Sequence, residues 1–584
     1  MTRARLLLGL AALSLVAGLL PAVRVEAAAA PRERWIVTAT SAAELAGLRD
    51  RAQSRGAEVV LDISKLNAFV VEATSSQAAS LRSDRAAADV SLDEIVSLSW
   101  ADASRPAVRA PGVQNARTIA EPAMTRDASG EAGDPAMSYA GLLWDYRRIG
   151  APDAWHRGAT GEGITVAVMD TGVDYTHSEL KDQVVQVIDL ADDDNLCRRF
   201  FGTSDEMLAE EFGGPVDTDW HGHGTWIAGN IAAEMDGVGT NGIAFDVDLV
   251  AVKIAQWCGF ASSSTLIEGF IEAADAGVDV LNISFGGYGD NPRVHQMYVD
   301  AVNYARERGM VIVASAGNDH TRIGTGGKVI SHGTLTTPRA ELFDPYGMWE
   351  SPGGVRGVVD VSATNNQTVP SSHGCPEGTA GSPEDTAATC KPLRDRHQAA
   401  GQGEEDQLAY YSNYGPRIDI AGPGGARKFN LPVWDRGGTP GFPYTDDDLT
   451  NVWETFSTTS NWATQIPCFT FTRGSHFYVN ECYSTIQGTS MAAPHVTASL
   501  AVIASETAGA RGNVGRLVQL VQGRAIDAGP NFTEVLDPDD MSAADLTGVH
   551  CPTGYCHLGG EAVPDSEAYG AGLVYIGDPD DVTP

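Results

Sequence analysis

Three polar residues in this 584-residue chain stand where they could turn a serine into a nucleophile. Asp170 ends an apolar run in VAVMDTGVD, His223 heads HGTWIAG, and Ser490 opens an apolar stretch in QGTSMAAPHV. A serine hydroxyl is a poor nucleophile unless a base removes its proton as it attacks. An imidazole can be that base when a carboxylate fixes its tautomer. The pattern predicts acyl transfer, with Ser490 as nucleophile, His223 as general base and Asp170 orienting His223.

A fourth residue, Asn318, could stabilise the negative charge that develops on an attacked carbonyl oxygen. It follows the apolar run VIVASAG, and its side-chain amide is a suitable hydrogen-bond donor. The backbone N–H of Ser490, at the positive end of a predicted helix, would be the second donor. We expect these two donors to form an oxyanion hole.

Short apolar runs rich in β-branched residues supply the elements that must position these side chains. Near-continuous hydrophobicity over so few residues indicates strands buried on both faces, as in a parallel sheet. A capping box of Thr265 and Glu268 predicts a helix over 265–277, and a similar pattern predicts one over 296–308. The fold class expected is α/β, a doubly wound, mainly parallel seven-stranded sheet with helices on both faces. The seven runs are 164–170, 184–190, 248–255, 278–284, 310–317, 357–363 and 418–422.

The chain before this sheet divides into three parts. Arg3 and Arg5 precede the apolar run Leu6–Leu20, which predicts a signal peptide over 1–29 and a secreted, extracellular protein. Residues 31–102 alternate strand and helix signals and predict a small α+β unit, and 103–138 reads as a linker. The remaining region, 139–584, carries long Gly-, Pro- and Asp-rich segments at 319–350, 366–408 and 425–485, interpreted as inserted loops.

Charge and cysteine content restrict partners and compartment. The net charge of −36 disfavours nucleic acid and anionic lipid as partners, and no later apolar run is long enough to be a membrane anchor. Eight cysteines in an exported chain favour disulfides. Proximity pairs 375 with 390, 468 with 482 and 551 with 556, and elimination leaves Cys197 with Cys258.

Taken together and in this order, the segments DTGVD, HGTWIAG, SAGN and GTSMAAPHV resemble the subtilisin-like serine protease family. The resemblance runs from Trp144 to Tyr575 and implies the roles given above for the triad and for Asn318. It also implies protein or peptide substrates, no organic cofactor, and an N-terminal unit that is a self-cleaved inhibitory propeptide and folding aid. We further expect a monomer. The substrate-binding residues it implies are Ser284, Phe285 and Gly286, with Ser315 and Gly317 on the opposite wall of the specificity pocket.

Other interpretations of single features are weaker. His221 and His223 form an HxH pair that could bind a metal, but only His223 heads HGT. Cys551, Cys556 and His557 could bind zinc, but they lack paired ligand spacing. A calcium ion at the acidic clusters 189–194 or 446–448 is left open beside a merely solvated loop. His177 and His495 are interpreted as structural, and Asp174 as a turn residue.

Two rival functions come from other classes. One is a catalytically silent homologue that binds proteins. The other is an esterase or lipase, which the missing nucleophile elbow disfavours because Ala492 stands where GxSxG needs glycine. The sequence does not give the residue preference before the scissile bond, since the pocket floor depends on the loop 319–350.

Overall fold

The computed structural model describes the predicted α+β unit and the segments that carry the predicted site residues. The predicted signal peptide, most of the linker, Cys375, Cys390, Cys551, Cys556 and the acidic clusters 192–194 and 446–448 lie outside the described residues. The described residues are 30–98, 110–111, 114, 116–120, 143–191, 196–331, 345–364, 406, 408–409, 411–425, 455–473, 476–528 and 564–578.

The N-terminal unit is an antiparallel sheet with two helices on one face, which confirms the predicted α+β unit. Its elements are β1 (Arg32–Ala39), α1 (Ala42–Ser54), β2 (Glu58–Ile63), β3 (Ala68–Thr74), α2 (Ser75–Arg82), β4 (Ala87–Leu92) and β5 (Ile95–Ser97). The strand order of the sheet is β2-β3-β1-β4. One face packs on α1 and α2, and the other joins the hydrophobic core of the large sheet through Ile36, Leu61 and Val70.

The later elements alternate between strands and helices through the centre of the chain. They are β6 (Arg117–Ala120), α3 (Trp144–Arg148), α4 (Ala151–His156), β7 (Thr165–Asp170), β8 (Val184–Asp189), α5 (Leu196–Phe201), α6 (Asp205–Phe212), α7 (His223–Ala232), β9 (Asp248–Lys253), β10 (Phe260–Ser262), α8 (Ser263–Asp275), β11 (Val280–Ile283), β12 (Gly287–Gly289), α9 (Pro292–Glu307), β13 (Val311–Ser315), β14 (Trp349–Ser351), β15 (Val359–Thr364), β16 (Ile420–Pro423), β17 (Thr455–Thr458), β18 (Phe469–Arg473), β19 (His476–Ile486), α10 (Thr489–Glu506), α11 (Val514–Gly523) and α12 (Asp565–Ala568).

A seven-stranded sheet of order β16-β15-β13-β11-β7-β9-β8 forms the centre of the molecule. Every neighbouring pair in it is parallel, and its strands are the seven apolar runs of the sequence, so the predicted fold class is confirmed. One face packs on α7, α10 and α11, and the other on α8 and α9. Parallel strands end at the same edge, and that edge therefore gathers the residues that follow β7, β11 and β13.

Two predicted helices begin earlier than expected. Helix α8 starts at Ser263, so Thr265 and Glu268 lie inside it and the predicted capping box is wrong. The reason is tertiary: Asp93 of the N-terminal unit accepts hydrogen bonds from the Ser264 backbone N–H and hydroxyl, at 3.0 and 2.6 Å. Helix α9 starts at Pro292, after the side chain of Asn291 caps it.

The segment 425–485 is more regular than an inserted loop. Its second half contains β17, β18 and most of β19, which form a sheet of order β17-β19-β18-β6. Aromatic and β-branched residues in HFYVNECYSTI were a strand signal in that segment. The disulfides Cys468–Cys482 and Cys197–Cys258 are both present, as predicted. Among the described residues, no helix has the length and apolar character to cross a membrane.

Candidate active site

Asp170 and His223 are hydrogen-bonded at the carboxyl edge of the sheet. Asp170 ends β7 and is completely buried, and its Oδ1 lies 2.8 Å from His223 Nδ1. The backbone N–H of Thr171 donates to the same oxygen at 2.8 Å, which fixes the carboxylate. A carboxylate held at Nδ1 keeps the proton on that nitrogen, and leaves Nε2 as the basic nitrogen of a neutral imidazole.

The turn before α7 is organised by Asp219, a residue that the sequence reading missed. Its Oδ1 accepts from the backbone N–H groups of His221 and Gly222, at 3.0 and 2.8 Å. Its Oδ2 accepts from the Thr225 backbone N–H at 2.8 Å, in the first turn of the helix. Gly222 has no side chain to cap α7, so Asp219 supplies the acceptor instead. The available sequence signal was Asp219 itself, an N-cap type of residue at the start of DWHGHGT, just before the helix.

Gly224 lets the helix that carries His223 come close to the strand that carries Asp170. A Cβ atom at this position would lie 2.1 Å from the Gly172 carbonyl oxygen and 3.0 Å from Asp170 Cβ. No side chain fits there without moving the backbone. The backbone N–H of Gly224 also donates to Thr171 Oγ1 at 3.0 Å, which ties the two elements together.

Ser490 lies in the first turn of α10, next to Asn318. The Asn318 Oδ1 accepts from the backbone N–H and the hydroxyl of Thr489, at 2.9 and 2.8 Å. Because a backbone N–H can only donate, Asn318 must turn its oxygen toward Thr489 and its amide Nδ2 away from it. The Ser490 hydroxyl donates to the Ser284 carbonyl over a long 3.4 Å, so this weak partner leaves it able to move.

The predicted substrate-binding residues border Ser490 on two sides. Ser284 follows β11, and its hydroxyl donates to the Ser490 carbonyl at 3.0 Å. On the other side, the Gly317 backbone N–H donates to Thr489 Oγ1 at 3.2 Å, just after Ser315 ends β13. Phe285 is buried in the core with α8 and α9, so only its backbone can meet a ligand.

A strand of the N-terminal unit lies against this edge. Strand β5 pairs antiparallel with β10, and Ser97 forms a bridge with Gly286. The Leu98 backbone N–H donates to the Gly259 carbonyl at 3.1 Å. The groove between β10 and Gly286 therefore already holds an extended segment of polypeptide.

The remaining histidines of the motifs are buried in hydrogen-bond networks. His495 lies 2.9 Å from Asp145 Oδ2 and 2.8 Å from the Met491 carbonyl. His177 contacts Thr458 and the Cys482 carbonyl, and burial lowers its pKa. Asp174 accepts from Thr176, as a turn residue does. Burial also lowers the pKa of His221, whose Nδ1 accepts from the His223 backbone N–H.

Two buried charges close to the site were also not anticipated. Lys253 ends β9, beside Asp170 in the sheet, and its Nζ lies 2.7 Å from both the Thr171 carbonyl and Asp205. Burial acts against its charge, but the carboxylates of Asp205, Asp189 and Asp219 together outweigh burial and raise the pKa of Lys253. In the part of the chain that the structure describes, no group of three or more His, Cys, Asp or Glu could hold a metal ion.

The curated proteins that are similar to this chain include an extracellular protease and a subtilisin. The minor extracellular protease Vpr of Bacillus subtilis is 33% identical over 232 residues, which are 38% of this chain and 27% of that protein. Subtilisin Savinase of Lederbergia lenta is 34% identical over 175 residues, 30% of this chain and 55% of that protein. The chain thus matches between about a quarter and just over half of the length of these relatives.

Two solved structures share the fold. The epidermin leader peptide processing serine protease of Staphylococcus aureus has a TM-score of 0.56 at 17% identity, covering 94% of this chain and 97% of that one. Fervidolysin of Fervidobacterium pennivorans, a keratinolytic enzyme related to subtilisin, has a TM-score of 0.52 at 20% identity. The match covers 90% of this chain and 62% of that one. The family model described as the subtilase family matches residues 161–523, more than half of the chain. The chain therefore belongs to the subtilase family.

Proposed function

We propose that this protein is a serine endopeptidase that cleaves peptide bonds through an acyl-enzyme on Ser490. The observation that carries the proposal is the hydrogen bond of 2.8 Å between Asp170 and His223, at the same sheet edge as Ser490 and Asn318. The proposed chemistry uses only protein groups. Asp170 orients the imidazole, His223 is the base and then the acid, and Ser490 is the nucleophile.

The proposed reaction has two halves. His223 Nε2 removes the Ser490 proton as Oγ attacks the carbonyl carbon, and the resulting oxyanion meets Asn318 Nδ2 and the Ser490 backbone N–H. The imidazolium then gives its proton to the leaving amine, and the acyl group stays on Ser490. Water, activated by the same imidazole, hydrolyses the ester and restores the hydroxyl.

The occupied groove favours a peptidase over an esterase. An extended chain that pairs with β10 and with Gly286 uses main-chain hydrogen bonds that any peptide substrate can repeat. An ester with a long alkyl chain has no such groups. The direct test compares hydrolysis of peptides with that of long-chain esters.

A fluorophosphonate probe distinguishes the proposal from a silent protein-binding homologue. The purified protein should react with the probe at a single serine and hydrolyse peptides, and Ser490→Ala should do neither. A matched control, Ser499→Ala, removes a buried hydroxyl from the same helix away from the site and should keep both. A wild-type protein that folds but does not react would contradict the proposal.

We further propose that the chain is exported as an inactive precursor, in which the N-terminal unit is the inhibitor. The match to an extracellular protease supports export, and the strand β5 in the groove supports inhibition. A substrate cannot pair with β10 while β5 does so. Removal of the N-terminal unit by the enzyme itself would then open the groove.

A further inference from the structure

Two buried carboxylates, those of Glu350 and Asp360, lie beside the two predicted walls of the specificity pocket. Strand β12 continues directly from Gly286 and pairs antiparallel with β14, which sets Glu350 opposite Tyr288. Strand β15 places Asp360 in register with Ala314, one residue before Ser315. The strand pairing therefore brings Glu350 and Asp360 next to the predicted specificity pocket, whose floor could not be predicted from the sequence.

Contacts at two glycines place the Glu350 carboxylate between the walls. A Cβ atom on Gly286 would lie 3.3 Å from Glu350 Oε1. A Cβ atom on Gly353 would lie 2.8 Å from Glu350 Oε2, 2.7 Å from Asp360 Oδ1 and 3.2 Å from the Ser315 carbonyl oxygen. One oxygen of Glu350 thus faces the first wall, and the other meets Asp360 near the second.

Both carboxylates are buried, and one of them has no hydrogen-bond partner among the described residues. Asp360 is fully buried, and neither of its oxygens has a hydrogen-bond partner among the described residues. Glu350 is 3% exposed and accepts from the Gly354 backbone N–H. Burial and their mutual repulsion raise the pKa of Glu350 well above its usual value, and burial raises the pKa of Asp360 to about 7.

Arg417 is a buried cation beside these acids, and its hydrogen bonds go to other groups. Arg417 donates to Asp419 at 2.6 Å and to the carbonyls of Val355 and Val358, at 3.0 and 2.7 Å. Its charge offsets that of one carboxylate, while three acids surround it: Glu350, Asp360 and Asp419. The raised pKa values mean that Arg417 alone does not keep Glu350 and Asp360 ionised, and a further cation beside them would favour their ionised form.

We infer that this pocket selects an arginine or lysine side chain immediately before the scissile bond, with Glu350 as its specificity-determining residue. The inference rests on the proposed peptidase function. A long cationic side chain would carry its charge between the walls to Glu350, and would supply further hydrogen-bond donors to this carboxylate. A leucine or phenylalanine in the same place would bury these acids without compensation.

The test uses the matured enzyme and peptides that differ only in the residue before the cleaved bond. For the wild-type enzyme, kcat/KM should be about 10²-fold higher for arginine and lysine than for leucine. Glu350→Gln, which keeps the shape of the side chain, should lower kcat/KM for arginine by a similar factor and leave leucine within a few-fold. Glu268→Gln, a buried carboxyl on α8, is the matched control and should keep the wild-type preference.

A second measurement does not depend on the folding of a variant. Benzamidine, a small planar cation, should inhibit leucine-peptide hydrolysis by the wild-type enzyme competitively, whereas neutral benzamide should not. A wild-type preference for leucine or phenylalanine, or no inhibition by benzamidine, would overturn the inference while fluorophosphonate labelling kept the proposed function intact. Calcium-dependent stabilisation lost in Glu350→Gln, without any arginine preference, would reassign these carboxylates to a metal ion. Absence of labelling and of all hydrolysis would instead count against the proposed function.

Discussion

Asp93 Oδ1 accepts a hydrogen bond of 3.0 Å from the Ser264 backbone N–H, so a carboxylate of the N-terminal unit caps helix α8 of the large sheet. At the opposite end of this helix, Lys65 of the same unit lies 3.0 Å from Asp275. An anion at the helix start and a cation near its end both favour the helix dipole. The N-terminal unit therefore contacts both ends of α8, and its strand β5 continues from there into the groove beside β10.

Docking of the N-terminal unit should weaken as pH rises. Burial raises the pKa of Glu94 to about 7, and Asp290 and Asp93 nearby act in the same direction. A carboxyl whose pKa is higher in the docked state binds its proton more tightly there, so docking is strongest at acid pH and is lost as pH rises through about 7. Hydrogen exchange of the first turn of α8, measured on full-length Ser490→Ala and corrected for intrinsic rates, should increase between pH 6 and pH 8.

Glu94→Gln supplies the control for this prediction. It should remove most of the pH dependence and keep the acid-state protection at pH 8. If hydrogen exchange in full-length Ser490→Ala, which keeps Glu94, were equal at pH 6 and pH 8, this carboxyl would not regulate docking.

The position of β5 also predicts how the precursor is cut. Composition alone places the mature N-terminus between about Ala101 and Ala140, but Ser97 and Leu98 already pair with the groove. We therefore expect the first cleavage within a few residues after Leu98, followed by trimming. Ser490→Ala, expressed without other proteases, should accumulate as uncut precursor, and N-terminal sequencing of the wild type should find the early cut. Normal processing of the purified mutant would contradict self-cleavage.

Much of this site could be predicted because its signals are local. Strands buried on both faces appear as short apolar runs; Asp170 ends one of them, and Asn318 stands just after another. The close approach of α7 to β7 at Gly224, by contrast, was not predicted from the sequence.

Other features depend on residues far apart in the chain. Asp93 caps α8 from 171 residues away, so no local pattern could show that Thr265 lies inside the helix. Glu350 is an ordinary acid in a polar segment until the pairing of β12 with β14 brings it to Gly286. Long-range contacts of this kind carry no periodicity, so no local sequence pattern could show them.

The two disulfides should stabilise the protein unequally. Cys197–Cys258 spans 61 residues and Cys468–Cys482 spans 14, which gives about 4 and about 3 kcal/mol from loss of unfolded-chain entropy. The double variant Cys197→Ala/Cys258→Ala should therefore lower the free energy of unfolding more than Cys468→Ala/Cys482→Ala. Denaturant unfolding of the Ser490→Ala precursor measures both, and the reverse order would show that local packing outweighs chain entropy.

Asn318 should matter for turnover and little for binding, because its amide meets the oxyanion mainly in the transition state. Asn318→Ala should lower kcat by about 10²- to 10³-fold, the range found for such a donor in a subtilisin, with KM nearly unchanged. Asn318→Asp should be at least as damaging at neutral pH, since a carboxylate there repels the developing charge.

Thr489 provides the sharper comparison, since it holds Asn318 Oδ1 through both its backbone and its hydroxyl. Thr489→Val removes one of the two donors and should lower kcat by about tenfold, the worth of one hydrogen bond, whereas Thr489→Ser should restore it. Active-site titration with a fluorophosphonate normalises each rate to correctly folded enzyme. If Asn318 were only a turn residue after β13, its variants would fold or mature poorly but keep wild-type kcat per titrated site. That result would remove Asn318 from the oxyanion hole and leave the Ser490 backbone N–H as the remaining donor.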